Sequence, residues 1–137
     1  MAPRNFPYLT EISVLSAIVV TFLNDHYFKY QYPGFIVGKL SDFAGIYYVP
    51  FFIYGLFSFL RSPFKAHIFI QKNYFLVCLV VVDVLFVLLK TTQMRVVFMN
   101  FFSQHFFKIQ IVDDPTDLVA LLMNWPSYLT AKNFFAR

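Results

Sequence analysis

The chain has 137 residues, of which 59% are hydrophobic and 13% are charged, and its formal net charge is +4. Soluble domains carry charge on about a quarter of their residues, and a core of this size could not hide so much apolar surface from water. The composition therefore excludes an ordinary soluble domain and favours a single domain, residues 1–137, with the lipid bilayer as its solvent. The lone cysteine, Cys78, excludes an intramolecular disulfide and is expected to be a small core residue.

Four apolar segments predict an all-α integral membrane bundle of four transmembrane helices. The clearest segment carries no charge over residues 43–60 and is long enough to cross about 30 Å of hydrocarbon. The first segment is expected to be retained, because no small-residue cleavage site follows it. The predicted spans are residues 9–28, 43–60, 74–90 and 116–131.

Residues 93–110 predict a further helix that lies in the plane of the membrane interface. Their polar side chains recur at roughly helical spacing and leave aromatic and aliphatic residues on another side. The polar set is Arg95, Asn100, Gln104 and Lys108. The alternative is a helix that crosses the membrane, which would move the C-terminus to the opposite side.

The four spans divide the Lys and Arg side chains almost evenly between the two membrane faces. The face with both termini holds six of them and the opposite face holds five. Under the positive-inside rule this small bias places both termini in the cytoplasm, and it leaves dual insertion of a small transporter open. The positive net charge suits contact with anionic lipid headgroups, so membrane lipid and not nucleic acid is the expected partner.

Polar residues that bracket two of the connections between spans are predicted to share one membrane face. The candidate binding residues are Asp25, Lys39, Ser41, Asp42, Lys90, Asp114, Thr116 and Asp117, and His26 lies beside them. Helix capping alone would explain two pairs, Ser41 with Asp42 and Thr116 with Asp117, because Ser or Thr N-caps and an Asp in the first turn both stabilise helix starts. A pocket formed by these side chains is the functional alternative, because polar groups at membrane depth are costly and usually have a function.

Asp83 stands apart because it lies near the middle of the third predicted span. An unpaired carboxylate there costs about 2.5–3.5 kcal/mol on insertion scales, so Asp83 requires a partner or a proton. A neutral carboxyl hydrogen-bonded to a neighbouring span and a proton or cation site both remain open. Small and weakly polar residues, including Asn24 and Asn124, fall on helical stripes that we expect to face the bundle interior.

Several kinds of chemistry have no sequence signature in the chain. It has no paired cysteines and no closely spaced histidines for a metal ion, no Gly-rich phosphate loop and no G-x-S-x-G elbow. We therefore expect neither a metal site nor a cofactor.

Three elements, "LNDHYFK", "GKLSDFAG" and later "DPTDLVAL", resemble those of an uncharacterised family of small bacterial membrane proteins. The resemblance covers most of the chain, and the second element is the most specific. It implies a protein of the bacterial inner (cytoplasmic) membrane and does not imply a biochemical activity.

The order of elements also resembles, in architecture, that of the VanZ-like proteins, a family linked to teicoplanin resistance. The stretch "DDPTDLVALLMNW" is similar to their acidic entry into the last span, with Asp114, Asp117 and Ala120 at the matching positions. "GKLSDFAGIYY" takes the place of their Asp-Lys-x-x-His-Phe helix start. Their Glu-x-x-x-Gln at the end of the third helix reads "LLKTTQ" here, and their Arg-rich approach to the last helix is missing. No residue role is therefore transferred from that family.

Three functions remain open from the sequence. The first is a structural, resistance or assembly factor whose polar face recognises a lipid headgroup, a cell-wall precursor or a protein partner, including a second copy of the chain. The second is a membrane enzyme acting on a lipid-linked substrate, with Asp42 and Asp117 as acid and base. His26 or Lys39 would then stabilise an anionic group. The third is a small dimeric proton-coupled transporter that uses Asp83.

Overall fold

A computed structural model describes residues 11–60, 68–105, 111–112 and 114–136 of the chain. The structure is 91% helix, and its described residues contain no strand. The α-helices are α1 Ile12–Leu23, α2 Lys29–Gln31, α3 Phe35–Leu60, α4 Ile68–Thr91, α5 Met94–His105 and α6 Asn124–Phe135. The prediction of an all-α fold is confirmed for this part of the chain. Residues 9–10 of the first predicted span and 106–110 of the predicted interfacial helix lie outside it.

Two helical segments that are not α-helical lie at the end of the bundle where the charged side chains meet, which we call the polar end. A π-helical turn, Asn24–Phe28, links α1 to α2, and a 3₁₀ segment, Pro115–Met123, leads into α6. With three residues per turn, the 3₁₀ geometry aligns Asp117, Ala120 and Met123 in one row. Asp117 and Ala120 are buried, and Met123 packs against the hydrophobic core. The 3₁₀ segment therefore directs a carboxylate into the interior of the bundle.

Within the described residues, two helical ranges are long and apolar enough to cross a membrane, Phe35–Ser58 and Asn73–Thr91. The first range begins directly after Pro33 and Gly34 and not at residue 43, where the charge-free run starts. The helix therefore contains Lys39 and Asp42, two charged positions that lie outside the predicted span 43–60.

The hydrophobic core joins α1, α3, α4 and α6. Phe51 of α3 and Phe75 of α4 lie at its centre with ring centroids 4.8 Å apart, and both are almost fully buried. Val14 and Ala131 bring α1 and α6 to the same cluster. Cys78 is a buried free thiol in this core, in the place expected for a small apolar residue.

The outer faces of the same four helices carry large apolar side chains that remain exposed. One example from each helix is Ile12, Phe57, Val77 and Trp125, with 80%, 58%, 57% and 69% of their surface accessible. Monomeric soluble proteins rarely expose extended apolar patches, whereas membrane helices are apolar on both their packed and their lipid-facing sides.

Candidate functional site

Five charged side chains and one hydroxyl meet at one end of the bundle. We call this set the charge cluster; it consists of Lys39, Asp42, Lys90, Asp114, Thr116 and Asp117. The first two come from the start of α3, where a spacing of three residues places both on one helix face. Lys90 comes from the end of α4, and the remaining three come from the entry to the 3₁₀ segment. The structure thus brings together six of the eight candidate binding residues.

Asp117 is the centre of the charge cluster because it accepts hydrogen bonds from both lysines. Its Oδ1 lies 2.5 Å from Lys39 Nζ, and its Oδ2 lies 2.5 Å from Lys90 Nζ. All three residues are buried, with at most 8% of their surface accessible. Buried charges are tolerated when they are paired in this way, and removing one partner leaves the others uncompensated. This centre holds α3, α4 and the 3₁₀ segment at fixed relative positions.

Two carboxylates form the rim of the charge cluster and are partly open to solvent. Asp42 Oδ2 accepts from Lys90 Nζ at 2.8 Å, and Asp114 Oδ2 accepts from Lys39 Nζ at 3.0 Å. The accessible fractions of these two side chains are 24% and 38%. With two ammonium groups against three carboxylates, the ionised cluster carries one excess negative charge.

A second polar network, beside the charge cluster, fixes the end of α1 to the start of α3. Asn24 is fully buried, and its Nδ2 donates to the Val37 carbonyl at 2.8 Å and to Ser41 Oγ at 2.7 Å. Ser41 Oγ in turn donates to Asp25 Oδ1 at 2.5 Å. Lys29 pairs with the same carboxylate at the surface. The π-helical turn thus brings the two other candidate binding residues, Asp25 and Ser41, together.

His26 is the one catalytic candidate that does not join either network. Its ring stacks on Phe22 with centroids 4.4 Å apart, and its Nδ1 lies 3.0 Å from the Phe22 carbonyl oxygen. The side chain is exposed on α1's π-helical extension. Of the two residues proposed to stabilise an anionic group, the structure therefore places Lys39 in the cluster and His26 outside it.

The prediction that Ser41 and Thr116 are N-caps is wrong, whereas Asp117 does lie in the first turn of the 3₁₀ segment. The N-cap of the 3₁₀ segment is Asp114, whose Oδ1 accepts from the Thr116 N–H at 2.9 Å, and Pro115 takes the first helical position. An Asp followed by Pro is a favourable helix start, because Pro lacks the N–H that would be unsatisfied there. Ser41 lies inside α3, well after its start at Phe35.

Asp83 belongs to a separate polar pair in the middle of the bundle. Asn124 Nδ2, at the start of α6, donates to Asp83 Oδ2 at 2.8 Å. The Oδ1 atoms of both side chains are buried and have no hydrogen-bond partner among the described residues. Lys90, on the same helix, pairs with Asp42 and Asp117 instead. The carboxyl therefore has a hydrogen-bond donor from a neighbouring helix, α6.

Two asparagines that organise these networks are missing from the candidate set drawn from the sequence. Asn24 lies in the bundle interior and Asn124 faces Asp83 there, as the stripes of weakly polar residues predict. The sequence pattern indicates that both asparagines face the bundle interior. It does not identify their hydrogen-bond partners, because these contacts join residues far apart in the chain.

Comparison with family profiles, with curated proteins and with solved structures gives no match for this chain. Among the described residues, no group of three or more His, Cys, Asp or Glu side chains is placed to hold a metal ion. The chemistry of the site follows from its own geometry. Its buried centre fixes three helical segments, and its rim carboxylates can accept hydrogen bonds from a cationic or hydroxyl-bearing group.

Asp114 should make the stability of the protein depend on pH in the acid range. Hydrogen bonds from the Thr116 hydroxyl, from Lys39 and from the Thr116 N–H lower the pKa of Asp114 from 3.8 to about 2. A lowered folded-state pKa stabilises the protein above the unfolded-state value, and this contribution is lost as the pH falls through the folded-state value. In thermal unfolding, we expect the wild type to exceed Asp114→Asn by a constant margin between pH 6 and pH 5.

The difference in unfolding temperature should shrink as the pH falls from 5 to 2. The other carboxylates titrate in both proteins, so the difference between the two unfolding curves isolates Asp114. A margin that stays unchanged from pH 6 down to pH 2 would contradict the assigned hydrogen bonds.

Proposed function

We propose that the protein is an integral membrane protein of four helical spans that presents the charge cluster at one membrane face as a recognition site. The ligand would be a lipid headgroup, a cell-wall precursor or a protein partner. The observation that carries this proposal is the division of the cluster into a closed, buried centre and an accessible carboxylate rim. A purely structural ion pair needs no such rim.

The lengths of the helical segments support four spans. Phe35–Ser58 and Asn73–Thr91 have the length and composition of membrane helices. The continuous helical run Ile12–Gln31 extends about 30 Å at a rise of 1.5 Å per residue. The 3₁₀ segment rises about 2 Å per residue, so Pro115–Phe135 reaches about 36 Å in total. Each run matches the roughly 30 Å of a hydrocarbon core, and each has an exposed apolar side.

The part of the predicted interfacial helix, residues 93–110, that the structure describes is too short to cross the membrane. The helix α5, Met94–His105, extends about 18 Å. This length supports a helix at the membrane interface. Because such a helix does not change the side of the chain, Asp25, Asp42 and Asp114 would lie on one face of the membrane. The resemblance to small bacterial membrane proteins supports the inner membrane as the location. The small excess of Lys and Arg on the face with both termini supports a cytoplasmic position for them.

The geometry supports recognition better than catalysis at the charge cluster. A general base needs a lone pair that can take a proton, but both oxygens of Asp117 accept hydrogen bonds from ammonium groups. His26, a candidate for stabilising an anion, is hydrogen-bonded within its own helical segment. The rim carboxylates of Asp42 and Asp114 are better placed to bind a group than to activate one.

Labelling of single cysteines in whole cells tests the shared face on which the proposal depends. In a Cys78→Ala background, we expect a membrane-impermeant maleimide to label Gln31→Cys and Val112→Cys, because both positions are exposed beside the polar end. Asn73→Cys and Asn133→Cys, exposed near the opposite end, should react only after the membrane is opened. Labelling of one of the first two positions without the other would end the proposal.

Purification of the wild type and of rim variants tests recognition. Material that copurifies with the wild type should fall about fivefold or more in the double variant Asp42→Asn, Asp114→Asn, since each charge-assisted hydrogen bond contributes more than 1 kcal/mol. Lys29→Gln is the matched control, because it neutralises a surface charge at the same end but outside the charge cluster. An unchanged set of copurifying molecules in the double variant would contradict recognition by the rim.

One observation favours a second function, a proton-coupled transporter that uses Asp83. The Asp83 and Asn124 pair keeps an ionisable carboxyl at the depth of the hydrocarbon core, where such groups mark ion and proton pathways. A transporter would lose activity in Asp83→Asn and keep it in the double variant of the rim. A protein that recognises its ligand at the charge cluster would keep its function in Asp83→Asn and lose it in the double variant of the rim.

A further inference from the structure

An open, largely apolar groove lies between α3, α4 and α5 and reaches Asp42 of the charge cluster. Its volume is about 600 Å³, and Ser41 and Asp42 are the polar side chains in its lining. The rest of the lining is apolar and is represented by Gly45 and Ile53 of α3, Leu85 and Phe86 of α4, and Phe98 and Phe102 of α5. The groove therefore combines a long apolar wall with a single carboxylate at one end.

We propose that this groove holds one hydrocarbon chain of a phospholipid with an ethanolamine headgroup, whose ammonium group lies at Asp42. The proposal rests on the membrane location and the recognition role proposed above, and it names the class of ligand.

The shape of the groove fits a hydrocarbon chain. Its lining on α3 runs from Ser41 to Ile53, which corresponds to about 18 Å along the helix axis. Because α3 has the length of a membrane span, a groove that follows it lies parallel to the lipid chains. The apolar residues of α5 that line it, such as Val97 and Phe101, are exposed and would gain contacts with a bound chain.

The charge at the end of the groove selects the headgroup. Asp42 keeps 24% of its side chain accessible while its Oδ2 accepts from Lys90. Both lysines of the charge cluster are buried among carboxylates, and with all five charged groups ionised the cluster carries one excess negative charge. An approaching ammonium group would compensate that charge and donate a charge-assisted hydrogen bond, whereas a headgroup with net negative charge would be repelled.

Two glycines on α3 provide a matched pair of variants. A Cβ atom added at Gly45 or at Gly38 meets no atom within 4 Å, so neither substitution distorts the helix. Gly45 lines the groove, whereas Gly38 is exposed and does not line it. In Gly45→Leu the new side chain would occupy the volume assigned to the lipid. Gly38→Leu gives the same gain in helix propensity without filling the groove.

The test is native mass spectrometry of the full chain in detergent with equal amounts of phosphatidylethanolamine and phosphatidylglycerol of matched chains. We expect the wild type and Gly38→Leu to retain one phosphatidylethanolamine with about tenfold preference over phosphatidylglycerol. Gly45→Leu should lose the bound lipid, and Asp42→Asn should bind both lipids about equally. All three variants must keep the helical circular dichroism of the wild type at the temperature of the measurement.

Several results would overturn the proposal. They are a preference for phosphatidylglycerol, lipid retention in Gly45→Leu, equal loss in both glycine variants, and a lipid-free dimer that Gly45→Leu dissociates. The dimer would assign the groove to a second copy of the chain. If cysteine labelling supports the shared face and the rim variants change what copurifies, any of these results contradicts only the groove. If the labelling fails, the proposed function fails with it.

Discussion

Neutralising Asp117 should destabilise the protein more than any other single charge change in the charge cluster. In Asp117→Asn the ammonium groups of Lys39 and Lys90 remain buried without the carboxylate that bridges them. Breaking a buried ion pair typically costs about 3–5 kcal/mol. We expect a loss of about 3 kcal/mol, because each lysine keeps one rim carboxylate. Reversible unfolding in mixed micelles, followed by circular dichroism, measures the difference.

Two further variants test whether the loss comes from the buried pairing. Lys29→Gln removes a lysine from the exposed pair with Asp25 and should change stability by less than about 1 kcal/mol. The double variant Lys90→Met, Asp117→Asn should lose less stability than the sum of its single changes, because the two residues interact directly. Additive losses, or an Asp117→Asn protein as stable as the wild type, would show that the bridge contributes little.

Composition and patterning predict the helices and the common location of the polar residues. The apolar runs at 43–60 and 74–90 lie within α3 and α4. Lys39, Lys90 and Asp117 belong to three different parts of the sequence, yet the order of the spans alone places them at one end. These features depend on local hydrophobicity and on chain direction, and both can be determined from a single sequence.

The pairing of the charges could not be predicted, because it depends on contacts between distant residues. The bond from Lys39 to Asp117 joins positions 78 residues apart. The predicted second span begins at residue 43, directly after the charged residues, since an unpaired charge does not extend a membrane helix. In the structure Lys39 and Asp42 are neutralised by partners from other segments, so α3 continues to Phe35.

The groove and the 3₁₀ segment were also missed, for different reasons. The groove exists because α5 packs against α4 and leaves a space beside α3, and no periodicity within one helix indicates such a space. The 3₁₀ geometry of Pro115–Met123 has no strong sequence signature, because its residues also suit an α-helix. The Asp-Pro step at its start was the one local sign of where it begins.

Removing the amide partner of Asp83 should have the second largest effect. In Asn124→Leu the Asp83 carboxyl loses the donor that lies 2.8 Å from its Oδ2, and no other described residue bonds to its Oδ1. A buried polar group left without a partner costs about 1–3 kcal/mol, and more if it is charged. Asp83→Asn should be nearly neutral, because an amide can both donate to and accept from Asn124.

The double variant Asp83→Leu, Asn124→Leu separates the structural role of the pair from a functional one. Replacing both partners with apolar side chains of similar size removes the polar atoms together, so stability should return to within about 1 kcal/mol of the wild type. Unfolding in mixed micelles measures all four proteins, and a double variant less stable than Asn124→Leu would contradict the pairing. A stable double variant that still retains its ligand would show that the carboxyl serves only packing. A stable double variant that loses proton-coupled transport, while the charge cluster stays intact, would instead assign the function of the protein to Asp83.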